Sequence, residues 1–298
     1  MHDYTSSCIF SRIGISTRAR QAVGAVPYGD RVTRLHAETY LSHVRSESAR
    51  FREVLAGCDP AARVPSCPDW SAADLLWHLA TVQRWWAEVV TARPARPEEI
   101  DPPRPESYDA LLAAYDEWSV RLAEVLESAD PADEAWNWSD DHTVGFILRR
   151  QAHEALIHRV DAELAAGVGS DIDPVLAADG VHEVLDVMYG GCPPWGHWEP
   201  GEGLVRVDVT DTGEELWVRF GVFSGTDPDS GTSYADEEDF HVVDPPEDAE
   251  VEPDAVVDGT AAALDLWLWS RADDADVAVA GDRGVLDRFR AVVGSPIN

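Results

Sequence analysis

The sequence predicts an α+β protein with two folded domains, a bundle of helices followed by a smaller domain of helices and strands. Its 298 residues correspond to two domains at roughly 100–200 residues each. Hydrophobic residues make up 45% of the chain and charged residues 27%, as in ordinary globular proteins. After Gly169 the helical spacing of apolar residues gives way to a pattern that includes alternating strands. We therefore expect a tail over residues 1–32, a helical domain over 33–170 and an α+β domain over 171–298.

The first segment is expected to be a disordered tail. Residues 1–32 contain scattered arginines, serines and threonines and lack the long apolar stretch of a secretory signal. The cysteines of the chain show no Cys-x-x-Cys spacing, so they predict neither a zinc ribbon nor a redox motif. We expect them to be reduced, and the protein to be cytoplasmic. These cysteines are Cys8, Cys58, Cys67 and Cys192.

The first two helices of the bundle are separated by a turn. Apolar residues at helical spacing predict a helix from Leu35 to Ala56. The segment 64–70, which contains two prolines and one cysteine, predicts a turn. Ser71 can cap the second helix, with Asp74 as its capping-box partner, and this helix extends to about residue 90.

The third and fourth helices follow a long connection. The acidic, proline-rich segment 93–105 predicts a loop, and Tyr108 to Leu126 predicts an amphipathic helix. The fourth helix runs from about Val144 to Ala166 and ends at Gly167. Four helices with one long crossover loop are typical of a four-helix bundle.

The second domain alternates helices with strands. A helix over 174–189 and a loop over 190–200 precede a hairpin, whose two strands alternate polar and apolar residues. The hairpin strands are 204–209 and 215–220, and an acidic loop over 225–239 follows. The remaining predicted elements are a strand at 255–257, a helix at 259–270, a strand at 277–280 and a last helix from Arg283.

The charge balance excludes several classes of function. There are 23 basic residues against 56 acidic ones, a net charge of −33, and every basic residue is an arginine. A chain this negative repels phosphate backbones and anionic lipids, so we expect neither nucleic acid nor a membrane as a partner. The apolar stretches are shorter than the roughly 18–20 residues that span a bilayer. The absence of lysine excludes Schiff-base chemistry, a P-loop lysine and a Ser–Lys dyad.

Three residues of the predicted bundle are candidate metal ligands. His78 lies on the apolar face of the second helix, where a core histidine is the alternative interpretation. Glu154 and His158 are four residues apart on the fourth helix and project together, either toward a cation or as part of a solvated stripe. His153 is turned away from that face. Two imidazoles and one carboxylate suit a borderline cation such as zinc and leave a coordination position open, as in catalytic sites.

Three segments resemble the mycothiol-dependent maleylpyruvate isomerase family, a branch of the DinB-like metal-binding bundles. The first is Val-Pro-Ser-Cys-Pro-Asp-Trp-Ser-Ala-Ala-Asp-Leu-Leu-Trp-His-Leu at 64–79, and the second is Arg-Arg-Gln-Ala-His-Glu-Ala-Leu-Ile-His-Arg-Val-Asp-Ala-Glu at 149–163. The third runs from Asp-Gly-Thr to Leu-Trp-Ser-Arg within 258–271, and its Ser-Arg stands where the family often has Gly-Arg. The resemblance covers about residues 35–298. It implies a DinB-like four-helix bundle followed by a sterol-carrier-protein-like α+β domain.

The resemblance also implies a site and a reaction. It implies that His78, Glu154 and His158 bind a divalent metal, usually zinc, and that mycothiol is the thiol cosubstrate. The metal would ionise the bound thiol, and the thiolate would attack a small electrophile. In an isomerase, the thiolate adds to a cis carbon–carbon double bond, which becomes a single bond. Rotation about this carbon–carbon bond and elimination of the thiolate then give the trans product. In an S-transferase, the thiol conjugate is the product.

Other residues are candidates for supporting roles. Arg150 shares the helical stripe of Glu154 and is the first candidate to bind an anionic substrate, with a plain ion pair as the alternative. Arg271 is the second, through family similarity alone. Asp161 could orient a ligand imidazole or be a solvated carboxylate. Two other functions stay open: a metal-dependent hydrolase that uses bound hydroxide, and a non-catalytic ligand-binding module.

Overall fold

A computed structural model describes residues 35–98, 100–228, 230–248 and 250–295. The described chain divides into an N-terminal unit, Leu35–Ile172, and a C-terminal unit that begins at Asp173. The first unit is helical and the second contains the main sheet, so the predicted α+β class is confirmed. The predicted tail over 1–32 lies outside the described residues. Among the described residues, no helix combines the length and the apolar character needed to cross a bilayer.

The described part of the N-terminal unit contains four long helices, as the sequence predicts. The second helix begins at Ser71, whose hydroxyl accepts from the Asp74 backbone N–H while the Asp74 carboxylate accepts from the Ser71 backbone N–H. Ser107 and Thr143 cap the next two helices in the same way, each accepting one backbone N–H. The helices are α1 (Ala37–Ala56), α2 (Ala72–Ala92), α3 (Tyr108–Ser128) and α4 (Val144–Ala166).

A short hairpin connects α1 to α2. Its strands are β1 (Arg63–Val64) and β2 (Cys67–Ser71), and β1 packs against α4. Val64 is fully buried, which fixes the hairpin to the core. That core consists mainly of apolar side chains from α1, α2 and α3, together with Val64 of β1 and Ala162 of α4, and a large apolar side chain contributes about 1.5–3 kcal/mol when fully buried. Its largest members are Phe51, Leu55, Leu75, Leu76, Leu79, Leu111, Leu112 and Tyr115.

Buried ion pairs hold α1 against α4. The Arg159 guanidinium contacts Glu47 of α1 at 2.8 Å and Glu163 of its own helix at 2.9 Å. Arg50 of α1 contacts the same Glu163 at 2.9 Å. Arg159 and Glu163 are both almost completely buried, so removal of either one would leave the other in the interior with a single ion-pair partner, on α1.

The described C-terminal unit is built on a five-stranded sheet with the order β5-β4-β3-β6-β7. Its neighbouring strands are antiparallel except for the parallel pair β3 and β6. Helix α5 packs on α6, while α7 packs on the sheet. The strands are β3 (Gly196–Val209), β4 (Glu214–Thr226), β5 (Ser233–Val243), β6 (Ala255–Gly259) and β7 (Ala278–Gly281). The helices are α5 (Pro174–Glu183), α6 (Ala261–Leu268) and α7 (Arg283–Val293).

Two predicted boundaries in this unit are wrong. The loop predicted over 190–200 becomes strand at Gly196, because the end of β4 extends the hairpin and pairs with these exposed residues. The acidic loop predicted over 225–239 becomes β5 at Ser233. This strand lies at the edge of the sheet, where charged residues are common and hide the alternation of a strand. The helix predicted over 174–189 has the predicted bounds, but it consists of α5 followed by a π-helix over Val184–Tyr189.

Candidate metal centre

The three candidate ligands come together between α2 and α4. Each of His78, Glu154 and His158 offers one ligand atom, and these atoms lie within 4.8 Å of one another. Glu154 Oε1 is 3.1 Å from His158 Nε2 and 3.6 Å from His78 Nε2. Helical spacing on α4 places Glu154 and His158 one turn apart, and the packing of α2 on α4 brings His78 to them. In the described residues, no other group of three His, Cys, Asp or Glu side chains converges in this way.

The cluster is buried, so the solvated stripe considered for α4 does not exist. Glu154 and His158 are each 5% exposed, and the His78 side chain is 18% exposed. The His78 Nε2 atom is buried and has no hydrogen-bond partner among the described residues. A buried ring nitrogen without a partner, aimed at a carboxylate oxygen and a second ring nitrogen, fits a bound cation.

Burial and charge move the pKa values of the three ligands apart. Burial lowers the pKa of His78, which favours the neutral imidazole that a metal requires. Burial alone would also lower the pKa of His158, but the carboxylates of Glu154 and Asp161 raise it to about 9. Burial opposes ionisation of Glu154, yet the charge and hydrogen bond of His158 hold the pKa of this carboxyl well below its ordinary value. The metal-free cluster is therefore a buried ion pair beside a neutral histidine.

Arg150 contacts one of the two carboxylate oxygens of Glu154. Its Nη2 is 3.1 Å from Glu154 Oε2, and both side chains are buried. The other oxygen, Oε1, is left facing His78 and His158. The arrangement matches the ion pair that the sequence allows for Arg150, and a role in substrate binding stays a prediction.

Asp161 holds the far side of the His158 ring. Its Oδ2 is 3.0 Å from His158 Nδ1, and Asp161 is fully buried. Because a carboxylate only accepts, Nδ1–H donates to it and Nε2 is presented to Glu154. Asp161 is therefore not the solvated carboxylate considered as its alternative.

Two residues near the site were missed by the sequence analysis. Ser66, in the turn between β1 and β2, donates its hydroxyl hydrogen bond to Asp161 Oδ1. Trp70 on β2 packs its ring 4.7 Å from that of His78, with an angle of 46° between the planes. The sequence predicts a turn over 64–70 and includes this segment in a family-like motif, but neither observation gives Ser66 or Trp70 a role at the site. The contacts of this segment join residues up to 95 positions apart, which no local pattern could reveal.

The remaining candidates, His153 and Arg271, have contacts within their own units. His153 places its ring edge-on to Tyr40 of α1 at 6.3 Å and does not belong to the cluster. Arg271 lies in the C-terminal unit, after α6, where its Nη1 donates to the Trp269 carbonyl at 2.6 Å. Its catalytic role stays a prediction. The described cysteines, Cys58, Cys67 and Cys192, form no disulfide, and Cys8 lies outside the described residues.

Comparison with known proteins identifies the family. Residues 41–163 match the family model described as the mycothiol maleylpyruvate isomerase N-terminal domain, and residues 175–288 match its counterpart, the MDMPI C-terminal domain. The fold is similar to a crystal structure of the mycothiol-dependent maleylpyruvate isomerase, with a TM-score of 0.51. A histidine-to-alanine variant of that enzyme gives a TM-score of 0.52. Each solved structure is 16% identical in sequence, and each match covers 83% of this chain and 93% of the other.

A search of curated protein sequences finds no significant match. The two family models nevertheless take in most of the chain and follow each other in the order of its two units. The chain therefore belongs to the mycothiol-dependent maleylpyruvate isomerase family of enzymes.

Proposed function

We propose that the protein is a divalent-metal-dependent enzyme that uses mycothiol as its thiol cosubstrate, acting on a small electrophile as an isomerase or an S-transferase. The observation that carries the proposal is the convergence of His78 Nε2, Glu154 Oε1 and His158 Nε2 around one buried point. Membership of the family supports the thiol. Maleylpyruvate is what the solved relative acts on. For this chain we propose only the class of the substrate, a small electrophile.

The donor set supports zinc as the metal. Two imidazoles and one carboxylate are ligands typical of zinc, and three protein ligands leave one position for a substrate group. When bound, the metal would supply a positive charge that lowers the pKa of a thiol from its free value of about 8.5, so that the thiolate exists at neutral pH.

The residues around the ligands have distinct tasks in this proposal. Asp161 fixes the ring orientation of His158 and keeps the proton on Nδ1, which leaves Nε2 for the metal. Arg150 holds Glu154 Oε2 and thereby directs Oε1 toward the two histidines. Trp70 covers the ring of His78, and the burial of Glu154 and His158 limits the access of water. These contacts pre-organise the site before any substrate binds.

Metal content tests the ligand set directly. We expect the purified protein to contain about one metal ion per chain, as three-ligand catalytic sites do. His78→Ala should lose most of it, because the variant lacks one of three ligands. His153→Ala is the matched control, since it removes another bundle histidine whose ring faces Tyr40, and it should retain the metal. Elemental analysis measures the result, with circular dichroism to verify folding. Full metal and full activity in His78→Ala would refute the assignment.

A reaction assay then separates the functional classes. The protein is incubated with mycothiol and a panel of small electrophiles, and products are identified by mass and by chromatographic separation of cis and trans isomers. An isomer of unchanged mass indicates the isomerase, and a thiol adduct indicates the transferase. Turnover without any thiol would overturn the proposal in favour of a metal hydrolase. A metal-free protein that co-purifies with an apolar ligand would overturn it in favour of a binding module.

A further inference from the structure

The hairpin β1–β2 contacts the surroundings of both candidate histidine ligands. At its turn, the Ser66 hydroxyl donates to Asp161 Oδ1, and the other oxygen of the same carboxylate accepts from His158 Nδ1. On β2, the Trp70 ring lies against that of His78. One short element therefore reaches a ligand on α2 and, through Asp161, a ligand on α4.

The hydroxyl of Ser66 contacts the carboxylate oxygen of Asp161 that does not face His158. A buried carboxylate that is held at one oxygen can still rotate about its last torsion angle, which is broad for aspartate. Such rotation would tilt the acceptor away from the plane of the imidazole and loosen the ring of His158. The contact with Ser66 holds the second oxygen, so the orientation of the carboxylate is fixed at both ends.

The fold of the hairpin does not depend on this hydroxyl. Its two strands pair at Arg63 with Ser71 and at Val64 with Cys67, and the side chain of Arg63 donates to the Pro68 carbonyl. Val64 is fully buried in the core. Ser66 is partly exposed, and its described side-chain hydrogen bond is the one to Asp161. Loss of the hydroxyl should therefore leave the backbone in place.

We propose that Ser66 is a positioning residue of the metal centre, which acts through Asp161 to orient the His158 imidazole and so sets the affinity for the metal. This inference rests on the proposed function, because it requires that the cluster binds a metal. The turn that contains Ser66 contributes none of the three candidate metal ligands, so the role of this serine is indirect.

The test measures zinc affinity rather than activity. Full-length protein is stripped of metal, and Zn²⁺ binding is measured in competition with a chromogenic chelator. Ser66→Ala should weaken binding by about 3–30-fold, near the range that partners of ligands typically show. Ser66→Thr keeps a hydroxyl and should restore affinity to within about threefold of the original protein.

Ser170 supplies a matched control, because its hydroxyl also contacts a carboxylate of α4. Its hydroxyl donates to the buried Glu163 carboxylate of α4 at 2.7 Å, so Ser170→Ala also removes a serine hydrogen bond to a carboxylate of this helix. Glu163 is not part of the ligand cluster. We expect Ser170→Ala to leave zinc affinity unchanged, while thermal unfolding of the metal-free proteins shows similar, small losses for both alanine variants.

A double variant tests the route through Asp161. In an Asp161→Asn background, Ser66→Ala should cause no further loss of affinity, because the carboxylate it positions is gone. A further loss of the same size would overturn the inference, and so would a Ser66→Ala variant that binds zinc as the original protein does, or no more weakly than Ser170→Ala. These results would leave the proposed function standing. An original protein that binds no zinc would overturn both.

Discussion

The two carboxylate oxygens of Glu154 have different neighbours and therefore different roles. Its Oε2 faces the Arg150 guanidinium, and its Oε1 faces the two histidines. His158 is buried and His78 is half-buried, and both imidazoles lie next to this carboxylate, but His158 also contacts Asp161. That additional contact contributes to the raised pKa of His158, while burial lowers the pKa of His78. The chemistry of a histidine here depends on what its second ring nitrogen contacts.

His241, on β5, shows the effect of burial without a charged partner. Its ring stacks on Trp198 at 4.1 Å, nearly parallel, and its Nε2 has no hydrogen-bond partner within the described part of the chain. Burial lowers the pKa of His241 to about 4. In the unfolded chain the pKa of histidine is about 6.5. The neutral ring therefore contributes stability that is present above pH 6.5 and is lost as the pH falls from 6.5 toward 4.

We predict that His241→Gln will reduce the acid sensitivity of the protein. The variant should lie closest in stability to the original protein near pH 4.5 and furthest below it near pH 7, because glutamine cannot take up the proton. Thermal unfolding followed by circular dichroism between pH 4.5 and 7.5 measures this difference. His197→Gln, which changes an exposed histidine on β3, serves as the control. A constant difference between His241→Gln and the original protein at all pH values would refute the prediction.

At the scale of elements, α4 and α6 end in the same way with different residues. In α4, Gly167 has φ of 67°, and the N–H groups of Gly167 and Val168 donate to the carbonyls of Leu164 and Glu163. In α6, Ser270 has φ of 60°, and the N–H groups of Ser270 and Arg271 close onto Trp267 and Leu266. This pattern is the Schellman motif, which favours glycine at the left-handed position. The family's frequent glycine at this position has a conformational reason, and this chain uses a strained serine.

We predict that Ser270→Gly will stabilise the C-terminal unit by about 0.5–1 kcal/mol, because glycine adopts the left-handed conformation without the steric cost of a Cβ atom. Gly167→Ser is the reverse change and should destabilise the N-terminal unit by about 1 kcal/mol. A Cβ atom at Gly167 would meet nothing within 4 Å, so this cost is conformational rather than a clash. Denaturant unfolding measures both free energies. Ser270→Ala should show no gain, and a gain as large as that of glycine would contradict the argument.

The element boundaries that the sequence predicts well are set by residues close together in the chain. The Ser71–Asp74 capping box and the glycine at 167 mark the start of α2 and the end of α4, and both predictions are confirmed. The edge strand β5 was missed because its acidic residues break the apolar alternation by which strands are recognised. The change from α-helix to π-helix at Val184 has no local signal that we recognise.

At the scale of the whole molecule, the candidate site was only partly predictable. Helical spacing pairs Glu154 with His158, but the addition of His78 depends on how α2 packs on α4, which the apolar face suggested and the family resemblance supported. The contact from Ser66 to Asp161 joins residues 95 positions apart. Periodicity describes neighbours on one element, so contacts between elements can be inferred only when the packing is known.

The net charge leads to a prediction for the whole chain. Even if each of the 23 arginines paired with one acidic residue, 33 of the 56 acidic residues would have no arginine partner. Their mutual repulsion should destabilise the folded state. Raising NaCl from about 0.01 to 0.5 M shortens the screening length from about 30 Å to about 4 Å. We predict that this screening outweighs the weakening of surface ion pairs, each of which contributes only about 0–1 kcal/mol, and that the unfolding temperature rises by about 2–5 °C.

Calorimetry at pH 7.5 measures the shift in unfolding temperature between low and high salt. At about pH 5, where acidic groups begin to bind protons, the shift should be smaller. An unfolding temperature that falls with salt at pH 7.5 would mean that the arginine ion pairs, rather than the excess of carboxylates, dominate the surface electrostatics.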